Sequence, residues 1–115
     1  MAESCLFCRI ASGEIAAKVA FQDDRVVAFH DVNPQAPTHV LVIPRQHIPS
    51  VDAMGPEHGA LLAAMLQAAQ RIAGEVGAER SGYRLVFNHG GDAGQSVDHV
   101  HLHLLAGRKL GWPPG

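Results

Sequence analysis

No stretch of this chain comes near the roughly 20 consecutive apolar residues that a membrane-spanning helix requires, although 47% of its 115 residues are hydrophobic. Those residues belong to a core. A chain of 115 residues can bury one core but not two, so the sequence reads as one soluble, globular domain spanning 1–115. A secretory leader is also missing: the opening MAESCLFCRI has an acid where a basic segment belongs and no long apolar run, which points to the cytoplasm. Clusters of Lys and Arg are absent, and a net charge of -2 removes the electrostatic footprint of a nucleic-acid binder. The expected partners therefore exclude nucleic acid and membrane but leave room for a small anion held by backbone amides. Repeats and low-complexity segments are lacking as well.

Cysteine is scarce, and the two present, Cys5 and Cys8, form a single CxxC. In a reducing compartment that spacing means metal ligation or redox chemistry before it means a structural disulfide. A thioredoxin-like site needs a strand ahead of the pair, and none precedes it, so metal is favoured. Two thiolates are half of a tetrahedral zinc site, and the histidines are the obvious source of the rest.

After the CxxC, Leu6, Phe7 and Ile10 recur at helical spacing until Ser12 and Gly13 end the pattern. KVAFQ (18–22) and RVVAFH (25–30) flank the turn-forming DD and predict a hairpin. DVNPQAPT (31–38) is a loop and HVLVIP (39–44) a strand closed by Pro44. Pro56 opens a long helix whose apolar stripe, Leu61, Leu62, Met65, Leu66, Ala69, Ile72, Ala73 and Val76, runs to a closing Gly77. YRLVFN (83–88) and VDHVHLHLL (97–105) are the last strands, joined by the glycine-rich HGGDAGQS, with an irregular tail that carries Trp112. One long helix against about five strands predicts an α+β fold, a largely antiparallel meander covered on one face.

In the last of these strands His99, His101 and His103 alternate with Val100, Leu102 and Leu104. Alternation puts three imidazoles on one face and aliphatics in the core. Imidazoles accept, donate, bind metal or attack an electrophile near neutral pH, and the preceding glycines can bring backbone amides to a phosphate. A phosphorus centre needs a nucleophile and fixed donors around its oxygens, and adjacent histidines can supply both.

HVHLHLL matches the HxHxHxx signature of the histidine triad superfamily. FHDVNPQAPTHVLVIPRQHI, NHGGDAGQSVDHVHLH and the terminal GWPPG resemble its Hint branch of nucleotide-binding phosphoramidases, so the likeness covers nearly the whole chain. The resemblance implies a five-stranded, mainly antiparallel sheet with one long and one short N-terminal helix, dimerising into a ten-stranded sheet. It implies hydrolysis of a purine nucleoside 5'-phosphoramidate, with the nucleoside monophosphate as the common part of substrate and product. His101 would be the nucleophile and His103 would bind the phosphate. Asn88, Gly94, Gln95 and Ser96 would line the phosphate and leaving-group site, and Asp31 would take the ribose hydroxyls. Phe7, Ile10, Ile15, Phe29, His30 and Val32 would wall the base, while His39 and His99 would join the nucleophile in a proton network.

Cys5, Cys8, His47 and His99 resemble the ligand set of zinc-containing bacterial relatives, which would give His99 more to do for the scaffold than for catalysis. Asp98 stands where relatives often carry an aromatic; it alternates away from the histidine face and is expected to affect packing and not chemistry. His89 follows Asn88 where an acid or amide is common, within reach of a leaving group, and no role attaches to His58. Two other functions remain open on sequence: a dinucleoside polyphosphate hydrolase or nucleotidyl transferase of the same superfamily, and a nucleotide-binding scaffold that works through partners.

Overall fold

The computed structural model describes residues 4–115. A short helix α1 (Leu6–Ala11) precedes strands β1 (Val19–Gln22), β2 (Val26–His30) and β3 (Thr38–Pro44). Then come the long helix α2 (Gly59–Glu75), a single turn α3 (Ala78–Ser81), β4 (Tyr83–Phe87) and β5 (Leu102–Ala106). Among the described residues no helix is long and apolar enough to cross a membrane.

Local chemistry explains the punctuation. Between β1 and β2, Asp23 Oδ1 accepts the amides of Arg25 (2.8 Å) and Val26 (2.9 Å), so the acidic pair forms its turn through its own side chain. Pro56 opens a 3-10 turn and not α2 itself, and Gly77 ends α2 in the left-handed conformation (φ 77°). Of the predicted stripe, Met65, Ala69, Ile72 and Ala73 are buried, but Val76 is exposed because the helix finishes one residue earlier.

All strand pairs are antiparallel, in the order β1-β2-β3-β5-β4. This corrects the simple meander: α2 carries the chain across one face to the far edge, β4 forms there, and β5 returns into the gap beside β3. The sheet is buried on both sides. Val26, Ala28, Val40, Val42, Leu102 and Leu104 pack under α2, while Val27, Phe29, Leu41 and Ile43 pack with Phe7 and Ala11 of α1. That second face carries the histidines.

The last strand also begins later than its alternation suggests. Pairing of Val40 with Leu104 and Val42 with Leu102 would next set Pro44 against Val100. Pro44 has no N–H to give, so the ladder ends. Val100 donates its amide to Ile48 O instead (2.7 Å), and His99 and His101 lie ahead of β5, leaving only His103 within it.

Leu104, wholly buried between β3, β4 and α2, fixes this arrangement. Leu104→Ala is expected to lower stability by about 2–5 kcal/mol in urea unfolding; a loss below about 1 kcal/mol would show that the sheet does not depend on that contact.

Candidate active site

Three strands meet behind one group of side chains. His103 pairs with Leu41, and His39 precedes Leu41 by two residues on the same face of β3. Asp31, just past β2, joins them by donating its amide to His39 O (2.9 Å).

Hydrogen bonds fix which nitrogen of each ring carries the proton. His101 Nδ1 lies 2.7 Å from the carbonyl of His99, which can only accept, so Nδ1 is the N–H and the lone pair is on Nε2. The amide of Gln35 donates to His39 Nδ1 (3.1 Å), which puts the His39 hydrogen on Nε2. That hydrogen faces His103 Nδ1 at 2.9 Å and, less closely, Asp31 Oδ2 at 3.5 Å. His103 therefore accepts at Nδ1 and carries its own hydrogen on Nε2, an atom buried with no partner in the protein. The result is a free lone pair on His101 beside a free N–H on His103, with ring centres 5.0 Å apart.

His39 and His103 are held neutral. Burial pushes His103 down to about 4, assisted by His101 and His39 and opposed by Asp31. Burial also lowers His39, against the pull of Asp31.

His101 and His103 open on a cavity of about 620 Å³. Its walls include Phe7, Ile10, Ile15, Phe29, His30, Asp31, Val32 and Ser96 with His101 and His103, so the structure gathers most of the sequence-predicted residues in one place. Val32 sits at the mouth, fully exposed. Phe7 packs edge-on against His101 with centroids 5.1 Å apart. Asp31 is both a turn residue, accepting the amide of Asn33 (2.8 Å) through Oδ1, and a cavity wall. Leu6, Lys18, Leu41 and Val97 also line the space and were not anticipated. Leu41 was findable, because it shares the face of β3 that carries His39.

Asn88, Gly94 and Gln95 are not among the lining residues. Gly90 (φ 78°) and Gly94 (φ 80°) allow a tight loop, but that loop spends its own donors: Gly94 donates to Gly91 O and Gln95 to Gly90 O. The Gln95 side chain turns inward, accepting from Gly90 N (3.0 Å) and donating to Pro49 O (2.8 Å) and Val97 O (3.0 Å). It braces the loop, so the amides of Gly90, Gly94 and Gln95 are already taken and do not contribute to an open nest.

His99 does not meet His39; it faces the cysteines. Its Nε2–H is held by Pro44 O (2.8 Å), so its lone pair is on Nδ1, 3.4 Å from Cys5 Sγ and 3.5 Å from Cys8 Sγ. His47 Nδ1 lies 3.3 Å from Cys8 Sγ, and all four ligand atoms fall within 4.8 Å of one another. A carbonyl holding the distal nitrogen of an imidazole is the usual support of a metal-bound histidine, and two thiols with two imidazoles make a closed tetrahedral set. Burial, with the hydrogen bond and charge of Cys5, pushes Cys8 up to about 11, a crowding that a cation relieves. Asp31, His39 and His103 also converge. There the Gln35 amide occupies the Nδ1 lone pair of His39 and leaves a hydrogen at Nε2, so that group fits a hydrogen-bond chain and not a metal.

The remaining histidines serve loops: His58 Nδ1 accepts the Gly55 amide (3.1 Å), and His89 Nδ1 contacts Ser50 Oγ (2.9 Å). Asp98 is exposed, so the anticipated effect on packing does not arise. Trp112 is likewise exposed, with Gly111 O tied to Arg84 (2.7 Å).

Among known families, the chain matches the HIT domain over residues 12–110. It is 46% identical over 111 residues to a protein named purine nucleoside phosphoramidase from Escherichia coli (strain K12), covering 96% of this chain and 93% of the relative. An uncharacterised HIT-like protein of Synechocystis sp. is 47% identical over 115 residues, 100% of both chains. A crystal structure of a HIT family hydrolase from Legionella pneumophila Philadelphia 1 matches with a TM-score of 0.96 at 50% identity, covering 97% of this chain and 100% of that one.

The neutral histidines set a pH dependence of stability. With His103 near 4 in the fold and near 6.5 when unfolded, only the unfolded chain takes up a proton between those values, so stability falls as pH drops through that window. The urea midpoint of the wild type is expected to decline from pH 7 to pH 5 more steeply than that of His103→Gln. Parallel slopes would mean that His103 is not held neutral.

Proposed function

The chain belongs to the HIT domain family, and on that premise we propose that it is a hydrolase cleaving the P–N bond of purine nucleoside 5'-phosphoramidates through a nucleotidyl-histidine intermediate. One observation carries this reading: the fixed tautomers leave a lone pair on His101 and an unpartnered N–H on His103, side by side on the wall of one cavity. The relative named purine nucleoside phosphoramidase supports the substrate class.

In this reading the base lies between Phe7, Ile10, Ile15 and Phe29, and the free lone pairs of Asp31 take the ribose hydroxyls. His103 Nε2–H binds a non-bridging phosphate oxygen. His101 Nε2 attacks phosphorus, the P–N bond breaks, and the departing nitrogen takes a proton from water relayed by Ser96. A water-derived hydroxyl then displaces His101 Nε2 from phosphorus. One water is consumed in all: one hydrogen ends on the amine and the hydroxyl on phosphorus. His39 acts through His103, holding it as a donor.

Zinc is the proposed cofactor, structural in role, and Cys5, Cys8, His47 and His99 would hold it. Bound there it supplies folding free energy by tying α1 to the segment before β5. A homodimer in the cytoplasm completes the reading; the outer edge of β4, unpaired among the described residues, and the exposed Tyr83 that opens this strand support the dimer.

A fluorogenic adenosine phosphoramidate should be hydrolysed faster than diadenosine polyphosphates, and His101→Ala should cut turnover at least about a thousandfold while still binding AMP. Mass spectrometry of a slow variant should find the nucleotide on His101. Retained turnover in His101→Ala, or faster cleavage of the polyphosphates, would overturn the reading.

Metal analysis of untagged protein is expected to give one zinc per chain. Replacing both cysteines by serine should remove it and lower the melting temperature; a metal-free preparation of undiminished stability would refute the structural role.

A further inference from the structure

A second hollow of about 470 Å³ adjoins the nucleotide cavity. Leu6, Ser96 and Val97 line both, so the two spaces meet at Ser96, the residue given the departing nitrogen above. A phosphoramidate carries its nucleoside and its amine as separate substituents on phosphorus. With the nucleoside filling the first cavity, the amine has the second beside it.

The second hollow has a definite charge. Asp98 lines it together with Cys5 and His47. It is exposed, and among the described residues it has no hydrogen bond or ion pair. It follows Ser96 by two residues, which in extended chain is about 7 Å, within reach of a substituent a few bonds beyond the scissile nitrogen. A divalent ion with two thiolates and two neutral imidazoles has no net charge, so loading the metal site adds no net positive charge beside the carboxylate of Asp98. The cavity's own cation, Lys18, sits beside β1. It is separated from His103 by the strand sequence β1-β2-β3-β5, three spacings of about 4.8 Å, and does not neutralise this end.

We infer that this hollow is a leaving-group subsite in which Asp98 selects phosphoramidates whose amine bears a second positive charge a few carbons from the P–N bond, as in a monophosphorylated diamine. The inference rests on the phosphoramidase reading and adds the amine class to it. Asp98 is solvent-exposed, so the preference is modest and screened by salt.

The test compares three adenosine phosphoramidates of matched chain length, ending in an ammonium, a methyl or a carboxylate, on the zinc-loaded protein. The expected kcat/KM ranking is ammonium over methyl over carboxylate, by roughly threefold per step at low salt, narrowing in 0.5 M salt. Asp98→Asn should level the ranking and Asp98→Lys reverse it, with zinc content and melting temperature unchanged. The same series measured as Kd on His101→Ala should give the same order without turnover. A ranking indifferent to charge, or one that survives Asp98→Asn, overturns the subsite. Failure to hydrolyse even the methyl compound overturns the phosphoramidase reading instead, and the Kd series then decides the subsite on its own.

Discussion

The site depends on a hydrogen bond that Pro44 cannot donate. Opposite Val100 the β3–β5 ladder meets a residue without an N–H and stops, which frees the chain before Leu102 to bend away from ideal strand geometry. The carbonyl of the same proline takes the Nε2 hydrogen of His99, turning its other nitrogen toward Cys5 and Cys8. The carbonyl of His99 in turn takes the Nδ1 hydrogen of His101 and leaves the opposite nitrogen bare. The missing donor thus sets where the sheet ends, and the carbonyls of Pro44 and His99 set where the thiol–imidazole cluster forms and which nitrogen of His101 keeps its lone pair.

Burial supplies the second half of the arrangement. Imidazoles packed against the apolar face of a sheet lose the hydration that a positive charge needs, so burial lowers His39 and takes His103 down to about 4. A neutral ring has one donor and one acceptor, and a chain of such rings has a direction. Here the direction runs from the Gln35 amide through His39 to His103, ending in an N–H with nothing in the protein to receive it. A buried donor of that kind costs roughly 1–3 kcal/mol while unpartnered. That cost is returned when an oxygen arrives, which favours binding an anion at that point.

Much of this was legible in the sequence because it rests on local periodicity. The turn-forming DD marked the β1–β2 hairpin, an apolar run closed by proline marked β3, alternation marked the buried leucines of β5, the 3.6-residue stripe marked α2, and the likeness to a known family assembled Asp31, Phe7, Ile10 and Phe29 around the histidines. What escaped depends on contacts between distant segments. The early end of the histidine strand comes from a proline on another strand, and β5 falls between β3 and β4 because α2 carries the chain to the far edge. The glycines before Ser96 suggested open amides, but composition cannot reveal that Gln95 turns back to brace the loop and that its neighbours' donors are already spent.

His99 joins the two functions of this face. Its side chain belongs to the thiol–imidazole cluster and its carbonyl to His101, so a rotation of one peptide would disturb both. Zinc binding would therefore restrain the backbone that orients His101 without any metal orbital reaching phosphorus. The rigidity of His101, which sits in a segment that is neither strand nor helix, would come from the cluster, since the sheet has already ended.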